Sequence, residues 1–268
     1  MLWTEIIEIC LWMNYLICTM AKNLIYIISI TVDSAKIDHN EYSKYCIKSW
    51  EYWCKKNNCD LKVIQKNDER CGRVVWNKEL IFENGVGYDK IGIVDADTMI
   101  KWDAPNVFDM FEEDFCMVRD LVNWAWVYDS IKNYGKFFKG VPLDITNYGN
   151  TGVMFFHKLY LPLFEEIFNF YLENRTELDN WDKGGGREQT ILNFHLAKNN
   201  VNIKFLDGSW NILGMFSKGW FKSNTQLHSD ELHMIKYGNI WHFTGFDIES
   251  RTERVKHVWD SVKHNYNE

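Results

Sequence analysis

The stretch KIGIVDADTMIKWD, residues 90–103, decides the fold. It opens with IGIV, an apolar run without alternation and rich in β-branched residues, which predicts a strand buried on both faces. Two carboxylates, Asp95 and Asp97, follow where this strand ends. A buried carboxylate pair is costly unless a cation lies between the two groups, and open α/β sheets bind ligands at the carboxyl ends of their strands. The stretch therefore indicates a divalent metal held by Asp95 and Asp97 at the mouth of a sheet.

An isolated Asp-x-Asp pair also has a simpler explanation. One aspartate can cap the following turn while the other is solvated, and the motif alone favours that explanation. The rest of the chain has to decide between a cap and a metal site.

Composition limits the classes of protein to consider. The 268 residues are 46% hydrophobic and 25% charged, and they contain no Pro/Gly/Ser-rich linker or internal repeat, which predicts one compact domain. The net charge of −7 argues against nucleic-acid binding, because such binding needs a basic surface. Seven scattered cysteines form no CxxC pair, so the sequence indicates neither a zinc site nor a disulfide framework, and a cytoplasmic setting fits best.

Residues 1–20 form an apolar N-terminal extension. They contain Glu5 and Glu8 and lack a basic start, which makes a poor signal peptide. Their uninterrupted apolar part is short for a membrane span. Two interpretations of this extension stay open, an amphipathic N-terminal helix or a segment outside the fold. We expect a single domain over residues 21–268 and no membrane association, with an N-terminal membrane anchor as the alternative.

The hydrophobic pattern predicts alternating strands and helices, with a parallel sheet built from two β-α-β units at the start. Strands are predicted at 23–33, 61–64, 91–94, 115–118, 152–156 and 201–206, with a late apolar run at 240–243. Helices are predicted at 40–58, 73–84, 161–174 and 188–199 and in the tail from 252. An irregular stretch with at most a short helix is predicted at 121–149, and a polar loop at 175–187.

Several short motifs stand in order along the chain. They are Thr31-Val32-Asp33, Trp76-Asn77-Lys78, IVDADTMI, Asn150-Thr151-Gly152-Val153, GGGREQTILN (184–193), Trp210-Asn211 and His242-Phe243-Thr244-Gly245. From about residue 24 to 245 this series resembles the GT-A nucleotide-sugar glycosyltransferases, and among them the glycogenin-like family 8 enzymes. The resemblance implies an α/β, Rossmann-like GT-A fold, whose mixed, mostly parallel sheet has helices on both faces. It also favours the metal explanation for Asp95 and Asp97.

The resemblance implies roles for individual residues. Asp95, Asp97 and His242 would hold Mn²⁺, with Mg²⁺ as the substitute, although a lone histidine between apolar neighbours is more often a core residue. Lys78 would stabilise developing negative charge, and Glu188 would act at the sugar or the acceptor hydroxyl unless it only faces the helix dipole. The residues expected to bind substrate are Thr31, Asp33, Ala96, Asp120, Asn150, Gly152, Gln189 and Gly245.

The implied activity is metal-dependent transfer of a sugar from a nucleotide-diphosphate donor, with a UDP-sugar favoured, to a hydroxyl of a glycan or a protein. Retention of the anomeric configuration is implied as well, and a homodimer is left open. Two features depart from the family. The first is a missing Lys-Pro-Trp motif: Ile248 stands at the position of its lysine, and Arg251 or Arg254 could supply the positive charge instead. The second is Glu188, which stands where the family has an aspartate.

Two rival classes remain to be weighed. A non-catalytic protein that binds nucleotide sugars is the alternative, because the Lys-Pro-Trp motif is missing; the Asp95, Asp97 and His242 set favours an enzyme. The haloacid-dehalogenase phosphatases also carry Asp-x-Asp-Thr after a strand. They place it on the first strand and need a later acidic pair that this sequence lacks.

Overall fold

A computed structural model of the chain describes residues 22–31, 39–181, 186–213 and 233–266. Within these ranges the strands form a six-stranded sheet and a two-stranded sheet. The strands are β1 (Asn23–Ile28), β2 (Asp60–Ile64), β3 (Lys90–Asp95), β4 (Thr98–Ile100), β5 (Phe115–Arg119), β6 (Gly149–His157), β7 (Ile203–Phe205) and β8 (Ile240–His242). The large sheet has the order β2-β1-β3-β6-β5-β7, and the small one pairs β4 with β8.

The large sheet is mixed and mostly parallel. β1 runs parallel to both β2 and β3, and β5 runs parallel to β7. Only β6 is reversed among these strands, since it pairs antiparallel with β3 and with β5. β3 therefore lies inside the sheet with its carboxyl end at the edge where the ends of β1 and β5 also lie, and this edge carries Asp95.

Helices cover both faces of the large sheet. Along β1, Leu24 and Tyr26 pack into one core, while Ile25 and Ile27 pack into the other. The α-helices are α1 (Asn40–Lys56), α2 (Ile81–Asn84), α3 (Trp124–Tyr134), α4 (Leu161–Asp179), α5 (Arg187–Lys198), α6 (His233–Tyr237) and α7 (Ile248–Val262). Side chains of α2, α4 and α5 build the first core, and those of α1 build the second. The predicted fold class is confirmed.

The predicted helix 73–84 is wrong. The chain instead forms a 3₁₀ turn over Val74–Lys78 and then the single turn of α2. The Asn77 side chain explains the break, because its amide donates to Val74 O (2.8 Å) and to Asn67 Oδ1 (2.6 Å) and ties the turn to the preceding loop. The tight turn buries the Lys78 side chain and directs it towards the end of β3.

The predicted start of the loop 175–187 is also wrong, because α4 continues to Asp179. Leu178 packs into the core in this added turn, and the Asn180 amide donates to Thr176 O (2.7 Å) at the helix end. The stretch 121–149, predicted to be irregular with room for a short helix, contains the eleven-residue α3. In the part of the chain that the structure describes, no helix combines the length and the apolar character that crossing a membrane requires.

Candidate active site

The two sheets bring Asp97 and His242 together. β3 ends at Asp95, a short turn carries Asp97, and β4 then pairs antiparallel with β8, so that Thr98 lies opposite His242. The backbone N–H of Phe243 donates to Asp97 O (2.9 Å), which extends the pairing of β4 and β8 by one hydrogen bond. Residues nearly 150 positions apart in sequence are thus fixed next to each other by backbone pairing.

Asp95, Asp97 and His242 form a cluster whose ligand atoms all lie within 4.8 Å of one another. His242 Nε2 lies 3.2 Å from Asp97 Oδ1 and 3.8 Å from Asp95 Oδ2. His242 and Asp97 are buried, and Asp95 is half-buried. Two carboxylate oxygens and one imidazole nitrogen are the donors that Mn²⁺ or a similar divalent ion accepts.

The tautomer of His242 tests whether this cluster fits a metal. The ring's other nitrogen, Nδ1, lies 2.9 Å from the carbonyl oxygen Oδ1 of Asn211, so Nδ1 carries the proton and donates it there. Nε2 is therefore the ring nitrogen directed at the two carboxylates, and this buried atom, 3.2 Å from Asp97 Oδ1, has no hydrogen-bond partner. Two carboxylates and a buried imidazole nitrogen converge here, and the ring's rear nitrogen is held by Asn211 as metal-binding histidines are held by their outer partners, so these residues fit a bound metal ion.

Gly152 makes room for the His242 ring. A Cβ added at this position would lie 2.2 Å from His242 Cε1 and 2.9 Å from Nδ1. Any larger residue on β6 would push the ring from its place between Asn211 and the carboxylates. The structure thus gives Gly152, predicted to bind substrate, a spatial role beside the histidine.

Lys78 is a buried cation beside the cluster. Its Nζ lies 2.6 Å from Asp95 Oδ1 and 3.4 Å from Glu188 Oε1, and it also donates to Thr151 O. Burial alone would lower the pKa of Lys78, but Asp95 and Glu188 raise it above its usual value, so the side chain stays charged. Lys78 and Glu188, the two residues predicted to be catalytic, are in contact.

Glu188 opens the first turn of α5 and is buried. Burial raises the pKa of its carboxyl, and Lys78 opposes this effect. Glu79, next to Lys78 in sequence, is buried as well, and its Oε2 has no hydrogen-bond partner. Burial, and then the charge of Glu188, raise the pKa of Glu79 well above its ordinary value, which favours the protonated form of this carboxyl.

Arg251 supplies a second cation, from the first turn of α7. Its NH1 lies 3.4 Å from Asp97 Oδ2 and donates to Tyr42 OH (3.2 Å). Burial alone would raise the pKa of Asp97, but His242, Arg251 and Lys78 outweigh it and hold that pKa well below its usual range. Of the two arginines predicted as substitutes for the missing lysine, Arg251 lies at the site.

Asp120, Asn150 and Gln189 form a polar group next to the cluster. Asp120 Oδ2 accepts hydrogen bonds from Asn150 Nδ2 (3.1 Å) and Gln189 Nε2 (3.0 Å). Gln189 Oε1 in turn accepts from Asn150 and from the backbone and hydroxyl of Thr151. Both ends of the Gln189 amide are thus held by protein groups; its predicted contact with sugar hydroxyls stays a prediction.

Three other predicted substrate residues lie around the same edge. Ala96 occupies the turn between Asp95 and Asp97. Thr31 follows β1, and its hydroxyl accepts from Asn40 Nδ2 (3.1 Å). Gly245 follows β8 with φ +78°, a conformation that glycine adopts without strain. Asp33 lies outside the described residues, as do Gly184 and Gly185.

Asn211 was missed as a site residue by the sequence reasoning. Its motif, Trp210-Asn211, was noticed, but nothing in the sequence showed that its amide would meet His242 Nδ1. Glu79 was missed as well, since a charged residue within a predicted helix is normally solvated. The only available signal was position, because Asn211 belongs to a recognised motif and Glu79 directly follows one.

Comparison with solved structures finds glycosyltransferases. A glycosyltransferase involved in the glycosylation of the major capsid of PBCV-1 matches with TM-score 0.58 and 10% identity, over 88% of this chain and 99% of that one. GlyE of Streptococcus pneumoniae TIGR4 matches with TM-score 0.51 and 14% identity, over 92% of this chain and 64% of GlyE. The galactosyltransferase LgtC, in complex with donor and acceptor sugar analogues, matches with TM-score 0.50 and 13% identity, over 89% and 96%.

At these identities the likeness shows a shared fold, the GT-A fold of the glycosyltransferases. No protein-family model matches the chain, and no curated protein matches it. Membership of the glycogenin-like family stays a prediction.

Proposed function

We propose that this protein is a metal-dependent glycosyltransferase, which moves a sugar from a nucleotide-diphosphate donor, preferably a UDP-sugar, to a hydroxyl of a glycan or a protein. The observation that carries the proposal is the arrangement of Asp95, Asp97 and the unpaired Nε2 of His242 at the carboxyl edge of a GT-A sheet. This is the edge at which open α/β sheets bind ligands.

Asp95, Asp97 and His242 are the residues that would hold the metal, for which Mn²⁺ suits the mixed oxygen and nitrogen donors and Mg²⁺ is the substitute. When bound, such an ion would supply positive charge to offset the charge that develops on a diphosphate leaving group. Lys78 and Arg251, each paired with one of the two aspartates, flank the same place as fixed cations. Three positive centres would then lie beside the diphosphate, and because Lys78, Asp97 and His242 are buried, their electrostatic stabilisation would be stronger than in water.

Glu188 is the carboxylate that we assign to the sugar end of the site. It is held by Lys78 beside Asp95, and its acidity is weakened by burial, which suits a group that orients an acceptor hydroxyl or stabilises a cationic sugar ring. Asn150 and Asp120 lie next to it in the polar group as candidate partners of sugar hydroxyls. Thr31, Ala96 and Gly245 are proposed contacts of the nucleotide half of the donor.

The stereochemical part of the proposal is retention. The bond between the anomeric carbon and the diphosphate oxygen would break as the acceptor oxygen attacks from the same face, and the acceptor proton would pass to the departing phosphate. Proton NMR of the first product formed tests this part, because the anomeric coupling constant distinguishes the donor's configuration from its inverse.

The activity is tested by nucleotide release from a panel of UDP-, GDP- and dTDP-sugars, with Mn²⁺ and with EDTA. We expect release from one donor in Mn²⁺, and loss of that release in EDTA and in Asp97→Asn. The exposed Asp129→Asn makes the same chemical change on α3 and should leave the rate unchanged. Mn²⁺-dependent nucleotide binding without release from any donor, even with acceptor sugars added, would instead favour a non-catalytic nucleotide-sugar-binding protein. Equal rates with Mn²⁺ and with EDTA would contradict the metal assignment.

A further inference from the structure

A continuous chain of hydrogen bonds leads away from the back of His242. His242 Nδ1 donates to Asn211 Oδ1 (2.9 Å), and Asn211 Nδ2 donates to Asn150 Oδ1 (2.9 Å). Asn150 Nδ2 then donates to Asp120 Oδ2 (3.1 Å). The imidazole, the two side-chain amides and the carboxylate stand in one row, which we call the amide relay.

Every donor in the amide relay points the same way. The row begins at an N–H of His242 and ends at the carboxylate of Asp120, which can only accept. A second contact fixes the central amide, because Asn150 Oδ1 also accepts from the backbone N–H of Gly152 (2.9 Å). That backbone donor excludes the flipped orientation of Asn150, so the direction of the relay is set by the protein.

His242 and the two asparagines are buried, whereas Asp120 at the far end is half-buried. Hydrogen bonds aligned head to tail in a region of low dielectric polarise one another. A carboxylate that accepts from the rear N–H of a metal-binding histidine fixes its tautomer and raises the basicity of the nitrogen that faces the metal. Here the carboxylate stands two amides away from the histidine.

We infer that Asp120 acts on His242 through Asn211 and Asn150, so that this remote carboxylate positions the histidine and strengthens its hold on a divalent cation. Asn211 and Asp120 are then positioning residues of the metal centre. The inference rests on the proposed function for the metal site, and it adds a second role to the sugar contact proposed for Asp120. It also explains why two buried amide side chains and a carboxylate occupy a region where apolar packing would cost less.

The test is a double-mutant cycle read out as Mn²⁺ affinity by calorimetry, with the full chain and without nucleotide. Asn211→Leu removes the first link while keeping the number and branching of the side-chain heavy atoms, and we expect a loss of about 10-fold to 100-fold in affinity. Asp120→Asn keeps the accepting oxygen and removes the charge, and we expect a loss of about 10-fold. In the Asn211→Leu background, Asp120→Asn should have no further effect, because the relay is already broken.

Asp129→Asn is the matched control, since it makes the same substitution at an exposed position outside the relay and should leave the affinity unchanged. Nitrogen NMR of the histidines gives a second readout, in which Asn211→Leu should lose the pure Nδ1–H tautomer of His242. Affinity losses of Asn211→Leu and Asp120→Asn that add in the double variant would overturn the inference, because Asp120 would then act through space alone. Should Asn211→Leu fail to fold, an unchanged affinity in Asp120→Asn overturns it. Failure of the wild-type chain to bind Mn²⁺ would instead refute the metal site itself.

Discussion

Gly152 keeps the space that the His242 ring occupies. A methyl group there would approach His242 Cε1 to 2.2 Å, so Gly152→Ala must displace either the ring or β6. Overpacking of this kind costs about 1–3 kcal/mol of stability. We expect a larger effect on function, a loss of Mn²⁺ affinity of about 10-fold or more, because the ring would leave its bond to Asn211.

Gly208→Ala is the control for this substitution, since a Cβ at Gly208 meets nothing within 4 Å. Calorimetric Mn²⁺ titration and urea unfolding of both variants give the comparison. Wild-type Mn²⁺ affinity in Gly152→Ala would mean that His242 does not bind the metal from its place in this structure.

Glu79 makes the stability of the protein depend on pH. Burial raises its pKa well above the ordinary value of 4.5, so the folded chain keeps a proton that the unfolded chain loses above that pH. Stability therefore falls as the pH rises from about 4.5 towards the folded pKa, by about 1.4 kcal/mol for each unit of difference. Glu79→Gln removes this loss, and we expect its free energy of unfolding to exceed that of the wild type at pH 7 and to approach it near pH 4.

Glu83, on α2, provides the opposite case for the same measurement. Its hydrogen bonds to Arg70 (2.7 and 2.9 Å) hold its pKa below the usual value, so its contribution to stability is present above that value and lost as the pH falls. Glu83→Gln should therefore lower stability at neutral pH, by less than about 1 kcal/mol because the pair is exposed. The free energy of unfolding of Glu79→Gln and Glu83→Gln, measured by chemical denaturation between pH 4 and 8, gives the comparison. If both variants differed from the wild type in the same direction at neutral pH, the account of Glu79 would be contradicted.

That Asp95, Asp97 and His242 lie together could be predicted from the sequence, and the contacts that support them could not. Asp95 and Asp97 follow an apolar strand and His242 stands in a late motif, and the resemblance of the ordered motifs to one family linked the three. The partner of His242 depends on how β8 and the turn before Asn211 meet in space, and no spacing rule encodes that contact. The pairing of Arg251 with Asp97 could be offered only as a choice between two arginines for the same reason.

Secondary-structure elements were predictable where apolar periodicity was long, and failed where a side chain competed with the backbone. α1 was predicted because its apolar residues repeat near the helical period, and β3 and β6 because they contain continuous apolar runs. The segment 73–84 has helical apolar spacing as well, yet Asn77 donates to Val74 O and to Asn67 and holds the backbone in a 3₁₀ turn. This 3₁₀ turn, which the apolar spacing did not predict, places Lys78 in the site.

The N-cap of α3 stabilises the helix that lies over the start of α5. Asn123 Oδ1 accepts from Trp126 N (3.1 Å), and further along α3 Ser130 Oγ accepts from Gly186 N (3.2 Å), just before Glu188. Asn123→Ala should cost about 1 kcal/mol in the free energy of unfolding, whereas Asn123→Ser, which can cap equally well, should cost only a few tenths. Urea unfolding of both variants provides the measurement, and equal losses would show that the capping bond does not stabilise the helix.

Across the whole molecule, three packed regions meet at the candidate site. The core on one side of the large sheet positions Lys78 and Glu188, and the core on the other side holds the strand that carries Asp95. A third cluster, formed by α1, β4, β8 and α7, positions Asp97, His242 and Arg251. The charges of the site thus come from separate parts of the fold, and a ligand that binds them together should stabilise the whole domain.

Metal binding should therefore raise the thermal stability of the entire chain. An ion that binds only the folded state at a hundred times its dissociation constant adds about 2.7 kcal/mol. For a domain of this size each kcal/mol shifts Tm by about 2–4 °C, so we expect Mn²⁺ to raise Tm by about 5–10 °C in scanning calorimetry. Asp97→Asn and His242→Ala should lose this shift, and Asp129→Asn should keep it, because Asp129 is exposed on α3 and is not one of the clustered ligands. An equal shift in His242→Ala would mean that the stabilising ion binds elsewhere, and the histidine would then be a core residue.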